Sequence, residues 1–321
     1  MAKWIKNILG IVIVLFLLWY LSRHWDKIKA LLRLSPTELV IIYLITFLSI
    51  LNGSYIVQCL LNTLKVRTFF WDMVLLHNAT YLLNYVPMKF GTVFRANYLK
   101  RRYGLSYAHF GTFFVYLTLL MAAAASAVGL VVLVTVYGLA GYETKVLSAA
   151  FLGILVLSIF FAFIPLPIPT GSDKWSTAIR SFLTGRHQVS HNKFALLVSL
   201  AFLAVNFIIA SVRLGIIYKS MGQSVHPAGF LVLGALAYVT MFVNLTPGSL
   251  GMRELVLGAG AVVLGISPEV GILAAMIDRA IALSWSFVIG GGCAAWLLRK
   301  SPADFREAKS QAADEKSLAS Q

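Results

Sequence analysis

Two pairs of charged residues interrupt the apolar C-terminal third of the chain: Arg253 with Glu254, and Asp278 with Arg279. Charged side chains in membrane segments are costly, so they usually pair with one another or line a substrate pathway. Two acids and two bases can neutralise one another, and Arg213 could join them, which would make the group a structural ion-pair cluster. Alternatively, Glu254 or Asp278 could counter a cationic group of a substrate, or take up a proton that drives transport.

A second group of candidate residues lies in the segment NYVPMKFGTVFR, residues 84–95. Its cations, Lys89 and Arg95, are followed by a basic run that includes Arg101 and Arg102. A guanidinium group can bind two phosphate oxygens at once, which suits a lipid phosphodiester. The sequence therefore predicts that Lys89 and Arg95 contact a lipid phosphate. The alternative, which we adopt for Arg101 and Arg102, is a basic loop that only anchors the chain at the membrane surface.

The same residue types recur at the same spacing in a later segment, NLTPGSLGMRE at 244–254. The two matching sets are Asn84, Pro87 and Gly91, and Asn244, Pro247 and Gly251. Proline and glycine, here including Gly248, break helices, so both segments are predicted to end a helix inside the membrane. The amides of Asn84 and Asn244 could satisfy the backbone groups freed at these breaks, or they could be presented to a polar headgroup.

The composition indicates the class of protein that holds these residues. Of the 321 residues, 59% are hydrophobic and only 12% are charged, and the mean hydropathy is +0.83. Because soluble domains contain about a quarter charged residues, the sequence predicts an all-α polytopic membrane protein. The net charge of +15 would suggest nucleic-acid binding in a soluble protein. Here the basic residues lie in short loops between apolar segments, as expected beside an anionic leaflet, so no nucleic-acid partner is predicted.

Apolar segments, uncharged apart from Arg213 and the pair Asp278 and Arg279, predict about six full membrane spans. They cover residues 7–22, 39–64, about 107–136, 146–164, 194–218 and 270–298. Two further apolar segments, 73–88 and 228–266, are short or interrupted by proline and glycine. When the basic loops are placed in the cytoplasm, each of these segments begins and ends on one side, so we predict two re-entrant or broken helical hairpins.

The distribution of basic residues also predicts the orientation. The most basic connections are 88–103, 165–193, which we predict to be a loop, and the exit at Arg299 and Lys300. Placing them inside puts both termini in the cytoplasm of a bacterial-type cytoplasmic membrane. Residues 301–321 are predicted to be a disordered cytoplasmic tail.

Residues 1–300 are predicted to form a single integral membrane domain that contains an internal repeat. The first repeat covers about 37–137 and the second about 194–298, and each reads as helix, broken hairpin, helix. One hairpin is predicted to enter from each side of the membrane, which makes the repeat inverted. Transporters of this architecture bind their substrate between the repeats, near the membrane midplane.

Three motifs of the chain resemble a known family. NYVPMKFGTVFR, TPGSLGMRE and the later DRAIALSWSFVIGG are similar to the integral-membrane domain of lysylphosphatidylglycerol synthases, which also occurs as stand-alone, flippase-like membrane proteins. The resemblance covers about residues 5 to 300. It implies the half of those proteins that moves a lipid across the membrane. Since about twenty residues follow the last predicted helix, we expect no soluble synthase domain.

The sequence and the resemblance together predict translocation of a phospholipid, a glycolipid or a polyprenyl-linked lipid through a headgroup cavity between the repeats. The predicted substrate-binding residues are Asn84, Lys89, Arg95, Asn244, Arg253, Glu254, Asp278 and Arg279. The predicted structural breakers of the hairpins are Pro87, Gly91, Pro247, Gly248 and Gly251. The partner is a membrane lipid, and no sequence feature indicates an oligomeric state.

An enzyme is the less favoured class. The sequence contains no nucleophile–base set, phosphate-binding glycine loop or zinc-ligand spacing, so no catalytic residue, metal or cofactor is predicted. Two alternatives stay open. One is a membrane-embedded transferase of lipid or lipid-linked sugar biosynthesis that uses Glu254 or Asp278 as a base. The other is an accessory subunit of a separate lipid-modifying synthase.

Overall fold

The structure is a computed structural model that describes residues 34–85, 90–164, 174–224, 226–240 and 251–299. Within these ranges it contains ten continuous helices and no strand. Several predicted features lie outside the described residues: the first span at 7–22, Pro87, Lys89, Asn244, Pro247, Gly248 and the tail at 301–321.

The helices follow one another along the chain with short connections. They are α1 (Pro36–Thr63), α2 (Phe70–Leu83), α3 (Phe90–Tyr103), α4 (Tyr107–Val132), α5 (Tyr142–Phe163), α6 (Lys174–His191), α7 (Lys193–Ser220), α8 (Pro227–Val239), α9 (Met252–Val263) and α10 (Pro268–Trp285). Helix α4 continues through a π-helical turn at Leu133–Tyr137, and α10 continues through another at Ser286–Gly290 into α11 (Gly291–Arg299).

Five of these helices are long and apolar enough to cross a membrane: Pro36–Thr63, Tyr107–Tyr137, Tyr142–Phe163, Lys193–Ser220 and Pro268–Leu297. They coincide with five of the predicted spans, so the prediction of an all-α polytopic membrane protein is confirmed. Local signals set where the helices start. Ser35 caps α1 in a capping box with Glu38, and Ser106 caps α4 by accepting the backbone N–H of His109.

The first hairpin is formed by α2 and α3, so its predicted extent of 73–88 is wrong: the basic connection predicted over 88–103 is helical over Phe90–Tyr103 and supplies the second helix of the hairpin. Each helix has 14 residues, a length of about 21 Å, whereas the hydrocarbon core of a bilayer is about 30 Å thick. The two open ends are joined at Asp72, which lies 2.5 Å from Arg102 Nε and accepts a 2.5 Å hydrogen bond from the Tyr103 hydroxyl. The hairpin therefore begins and ends at the same level.

The closed end of this hairpin depends on Gly91. A Cβ atom at this position would lie 2.5 Å from Asn84 Oδ1 and 2.5 Å from the Thr80 carbonyl oxygen. Only glycine lets α3 approach the end of α2 this closely. Gly91 therefore permits close packing from within α3, whereas the sequence predicted that it breaks a helix.

The predicted second hairpin is formed by α8 and α9, of 13 and 12 residues, and the chain between Thr240 and Gly251 lies outside the described residues. Gly251 precedes α9 with φ +81°, a left-handed conformation that glycine adopts readily. Its N–H donates to Glu254 Oε2 at 2.9 Å, so this predicted breaker also starts a helix.

The two halves of the chain pack reciprocally. Helix α4 of the first half packs against α8 of the second hairpin, while the last helix, α10–α11, packs against α2 of the first hairpin. Helices α1 and α7, which occupy matching places in the predicted repeats, pack against each other. These are the contacts that a two-fold relation between the halves would produce. The orientation of each half relative to the membrane stays a prediction.

The prediction of a basic loop over 165–193 is wrong for its described part. Residues Lys174–His191 form α6, whose apolar side chains Leu183 and Val189 are buried. This helix packs against α4, where Thr112 Oγ1 donates to the Phe182 carbonyl at 2.9 Å. Its charged residues and histidines lie between apolar residues at helical spacing, so the helix is amphipathic. The loop prediction considered only the charged residues and therefore missed the helix.

The close approach of α3 to α2 gives a first testable prediction. Gly91→Ala should lower the melting temperature of the purified protein, because overpacking of this kind costs about 1–3 kcal/mol. Gly153→Ala is the matched control. Gly153 also lies within a helix, but a Cβ atom there would have no neighbour within 4 Å. Equal melting temperatures for the two variants would contradict the described hairpin contact.

Candidate functional site

The most buried charged group of the described chain is the carboxylate of Asp278 in α10, whose side chain has no exposed surface. It lies between two arginines from other helices. Arg213 of α7 places Nε 2.6 Å from Asp278 Oδ1, and Arg253 of α9 places a terminal nitrogen 2.5 Å from Oδ2. One carboxylate therefore joins three helices.

A second ion pair lies beside the first. Arg279 Nε is 3.0 Å from Glu254 Oε1, and the other carboxylate oxygen of Glu254 accepts the Gly251 N–H. Both side chains are at least nine-tenths buried. We refer to Arg213, Arg253, Glu254, Asp278 and Arg279 as the arginine–carboxylate network.

Helix geometry explains why Asp278 and its neighbour Arg279 bind different partners. Consecutive residues of a helix point about 100° apart. Asp278 thus contacts Arg213 and Arg253, while its neighbour Arg279 turns to Glu254. Glu254 lies in the first turn of α9, where a carboxylate is also stabilised by the helix dipole.

A cavity of about 140 Å³ lies against this network. It is bounded by α1, α2, α7, α8, α9 and α10, so both hairpins contribute to its wall. Three arginines line it, Arg213, Arg253 and Arg279, and none of the described lining residues is acidic. The rest of the polar wall is made of hydroxyl and aromatic side chains: Thr46, Ser49, Tyr81, Tyr85, Tyr238, Thr240, Trp285 and Ser286. We call it the central cavity.

The structure brings together only part of the predicted site. Arg253, Glu254, Asp278 and Arg279 meet, and Arg213 joins them as the sequence allowed. Whether they bind substrate stays a prediction.

Arg95 and Asn84 lie apart from this group. Arg95 of α3 is 9% exposed and donates through Nε to Thr80 Oγ1 at 3.3 Å. Within the described ranges no carboxylate pairs with it, and no hydrogen bond connects it to the arginine–carboxylate network. Asn84 is an exposed C-terminal residue of α2 that packs against Gly91.

Sequence reasoning missed the aromatic part of the cavity wall, although a signal was present. Ala282, Trp285 and Ser286 follow Asp278 by four, seven and eight residues, so they share one face of the last helix and all line the cavity. Trp285 also donates through Nε1 to Asn78 Oδ1 of α2 at 2.9 Å. This hydrogen bond connects the first hairpin to the cavity wall.

A seam between α1 and α10 flanks Trp285. The Tyr43 hydroxyl and Ser284 Oγ are 2.6 Å apart, and the ring of Phe47 lies 6.1 Å from that of Trp285. Phe47 is 38% exposed on the outer surface of the helices. The cavity is thus separated from the surroundings on this side by aromatic side chains.

The network gives a second testable prediction. Asp278→Asn should destabilise the protein by about 3–5 kcal/mol, because it leaves two buried guanidinium groups facing a neutral amide. Thermal unfolding in detergent measures the effect. Glu269→Gln on the same helix is the matched control, since Glu269 is exposed and should tolerate the loss of its charge. A wild-type melting temperature for Asp278→Asn would show that the described network does not form.

Comparison with known proteins identifies the family of this chain. Residues 7–291 match the family described as "Lysylphosphatidylglycerol synthase TM region". No curated protein and no solved structure gave a significant match. Since the match covers most of the chain, together with its long apolar helices, the protein belongs to the lysylphosphatidylglycerol synthase transmembrane-region family.

Proposed function

We propose that this protein translocates a phospholipid, a glycolipid or a polyprenyl-linked lipid across the cytoplasmic membrane, with the headgroup passing through the central cavity. The observation that carries the proposal is the arginine-lined cavity among helices apolar enough to lie in a bilayer. Such a polar space is costly to maintain unless it receives a polar group. Family membership supports a lipid-related role.

The size of the cavity fits a headgroup better than a whole lipid. About 140 Å³ accommodates a small polar group but no acyl chain in addition. The chains would therefore stay in the bilayer while the headgroup moves. The aromatic seam between α1 and α10 is the proposed lateral opening, because side chains rather than close backbone packing keep it shut.

The hairpins supply the proposed route to both membrane surfaces. Each hairpin helix is shorter than a membrane span, so we place the described ends of α2 and α8 at depth, where Tyr85, just after α2, and Thr240, just after α8, line the cavity. The reciprocal packing of the halves supports an inverted repeat whose parts rock about the site. The proposed orientation, with both termini in the cytoplasm, rests on the basic connections of the sequence.

The contacts of the carboxylates favour translocation over the transferase alternative. A transferase would need Glu254 or Asp278 as a base. Both are buried and held by guanidinium groups, which stabilise the ionised carboxylate and occupy its oxygens. The same contacts argue against a simple proton carrier. An accessory role beside a lipid-modifying synthase is a separate proposal that co-purification would test.

Filling the cavity gives a third testable prediction. Ala282 lines the central cavity, so Ala282→Trp should occupy it and return lipid movement to the protein-free rate. Ala150→Trp is the matched control, because Ala150 is exposed on α5 and away from the cavity. The measurement uses proteoliposomes with lipids labelled on an acyl chain, and dithionite reduces only the label in the outer leaflet.

Two outcomes would contradict the proposal. If the wild type moves each labelled phospholipid, glycolipid and polyprenyl-linked lipid only at the protein-free rate, translocation fails. If Ala282→Trp is folded and as fast as the wild type, lipids move by another route than the central cavity.

A further inference from the structure

The arginines and carboxylates of the network are not placed equally with respect to the central cavity. Arg213, Arg253 and Arg279 line it, with exposed side-chain fractions of 15%, 20% and 8%. Their carboxylate partners do not line the cavity, and their exposed side-chain fractions are 0% for Asp278 and 6% for Glu254. A group entering the cavity therefore meets guanidinium surface and not carboxylate surface.

The charges of the network also do not cancel. Three guanidinium groups face two carboxylates, so the network carries one positive charge more than negative. Charge in a buried, weakly polar surrounding acts strongly on a group placed beside it, because little water screens it. An anion placed beside the network would compensate this excess positive charge.

One further polar group of the wall, the Tyr238 hydroxyl, favours the same sign of ligand. Guanidinium groups can only donate hydrogen bonds. Tyr238 accepts a hydrogen bond from Asn206 Nδ2 at 2.9 Å, which leaves its own hydroxyl hydrogen free to donate into the cavity. A phosphodiester offers only acceptor oxygens, and arginine binds such groups in two-point contacts.

We propose that the central cavity selects lipids whose headgroup carries a net negative phosphodiester and no cationic group. This inference rests on the proposed translocation of lipid headgroups. An aminoacylated headgroup would bring ammonium groups beside three arginines, where both carboxylates of the arginine–carboxylate network are already paired with guanidinium groups. Desolvation and repulsion then disfavour it. This member of the family accordingly handles the unmodified anionic lipid and rejects the lysyl ester.

Arg253 is the residue that tests this charge assignment. Asp278 keeps Arg213 as its partner when Arg253 is removed. Arg253→Gln therefore abolishes the excess positive charge without leaving a buried carboxylate alone. Arg101→Gln is the matched control, since Arg101 is exposed on α3 and does not line the cavity.

The experiment compares three chain-labelled lipids in phosphatidylcholine proteoliposomes: phosphatidylglycerol, phosphatidylcholine and lysylphosphatidylglycerol. We expect phosphatidylglycerol to move about tenfold or more faster than the other two. Arg253→Gln should bring the phosphatidylglycerol rate down to the phosphatidylcholine rate of the same variant, while Arg101→Gln keeps the wild-type ratio. Equal rates for the three lipids, or a faster lysyl ester, would overturn the inference and leave translocation intact.

A binding measurement separates the two proposals if no lipid moves. Short-chain phosphatidylglycerol should raise the melting temperature of the wild type but not of Arg253→Gln. That result would support the anionic site although translocation had failed, whereas no shift in either protein would overturn the site as well. Inorganic phosphate is tested alongside. A shift as large as that of the lipid would identify a free phosphate site and overturn the lipid assignment.

Discussion

The pairing of one fully buried carboxylate, Asp278, with Arg213 and Arg253 is the interaction on which the centre of this protein depends. Breaking a buried ion pair by losing one partner is far more costly than the pair itself is stabilising. Helices α7, α9 and α10 must therefore keep their relative positions to keep these charges compensated. The central cavity exists where they meet, and its cationic wall is a consequence of the same contacts.

The hairpins connect this centre to the rest of the fold. The first hairpin reaches the cavity wall through the hydrogen bond between Asn78 and Trp285, and the second supplies Arg253 and Glu254 at the start of α9. Because the last helix contacts both hairpins, a displacement of one hairpin would change the packing of the other. The short helices thus bring helix ends next to a polar space, since Tyr85 and Thr240 line the central cavity.

Much of the fold was predictable because its signals are local. Long apolar segments predicted the five described spans, and the Asn–Pro–Gly spacing indicated both hairpins. The segment 165–193 was wrongly predicted as a loop because the apolar residues of α6 are interspersed with many charged residues. The two charged pairs of the site, Arg253 with Glu254 and Asp278 with Arg279, could be predicted because charged side chains are costly in apolar membrane segments. The aromatic wall was not predicted, since tyrosine and tryptophan are ordinary in membrane segments.

The order of residues along the chain already specifies a bundle of apolar helices with two interruptions and a small set of charges that must be compensated. These properties depend on residues near one another in the chain. Which charges meet depends on how the helices pack: Asp278 pairs with residues 65 and 25 positions away rather than with its neighbour Arg279. Helix geometry turns adjacent side chains in different directions, so packing between helices, and not sequence order, decided that arginines face the cavity while carboxylates lie behind them.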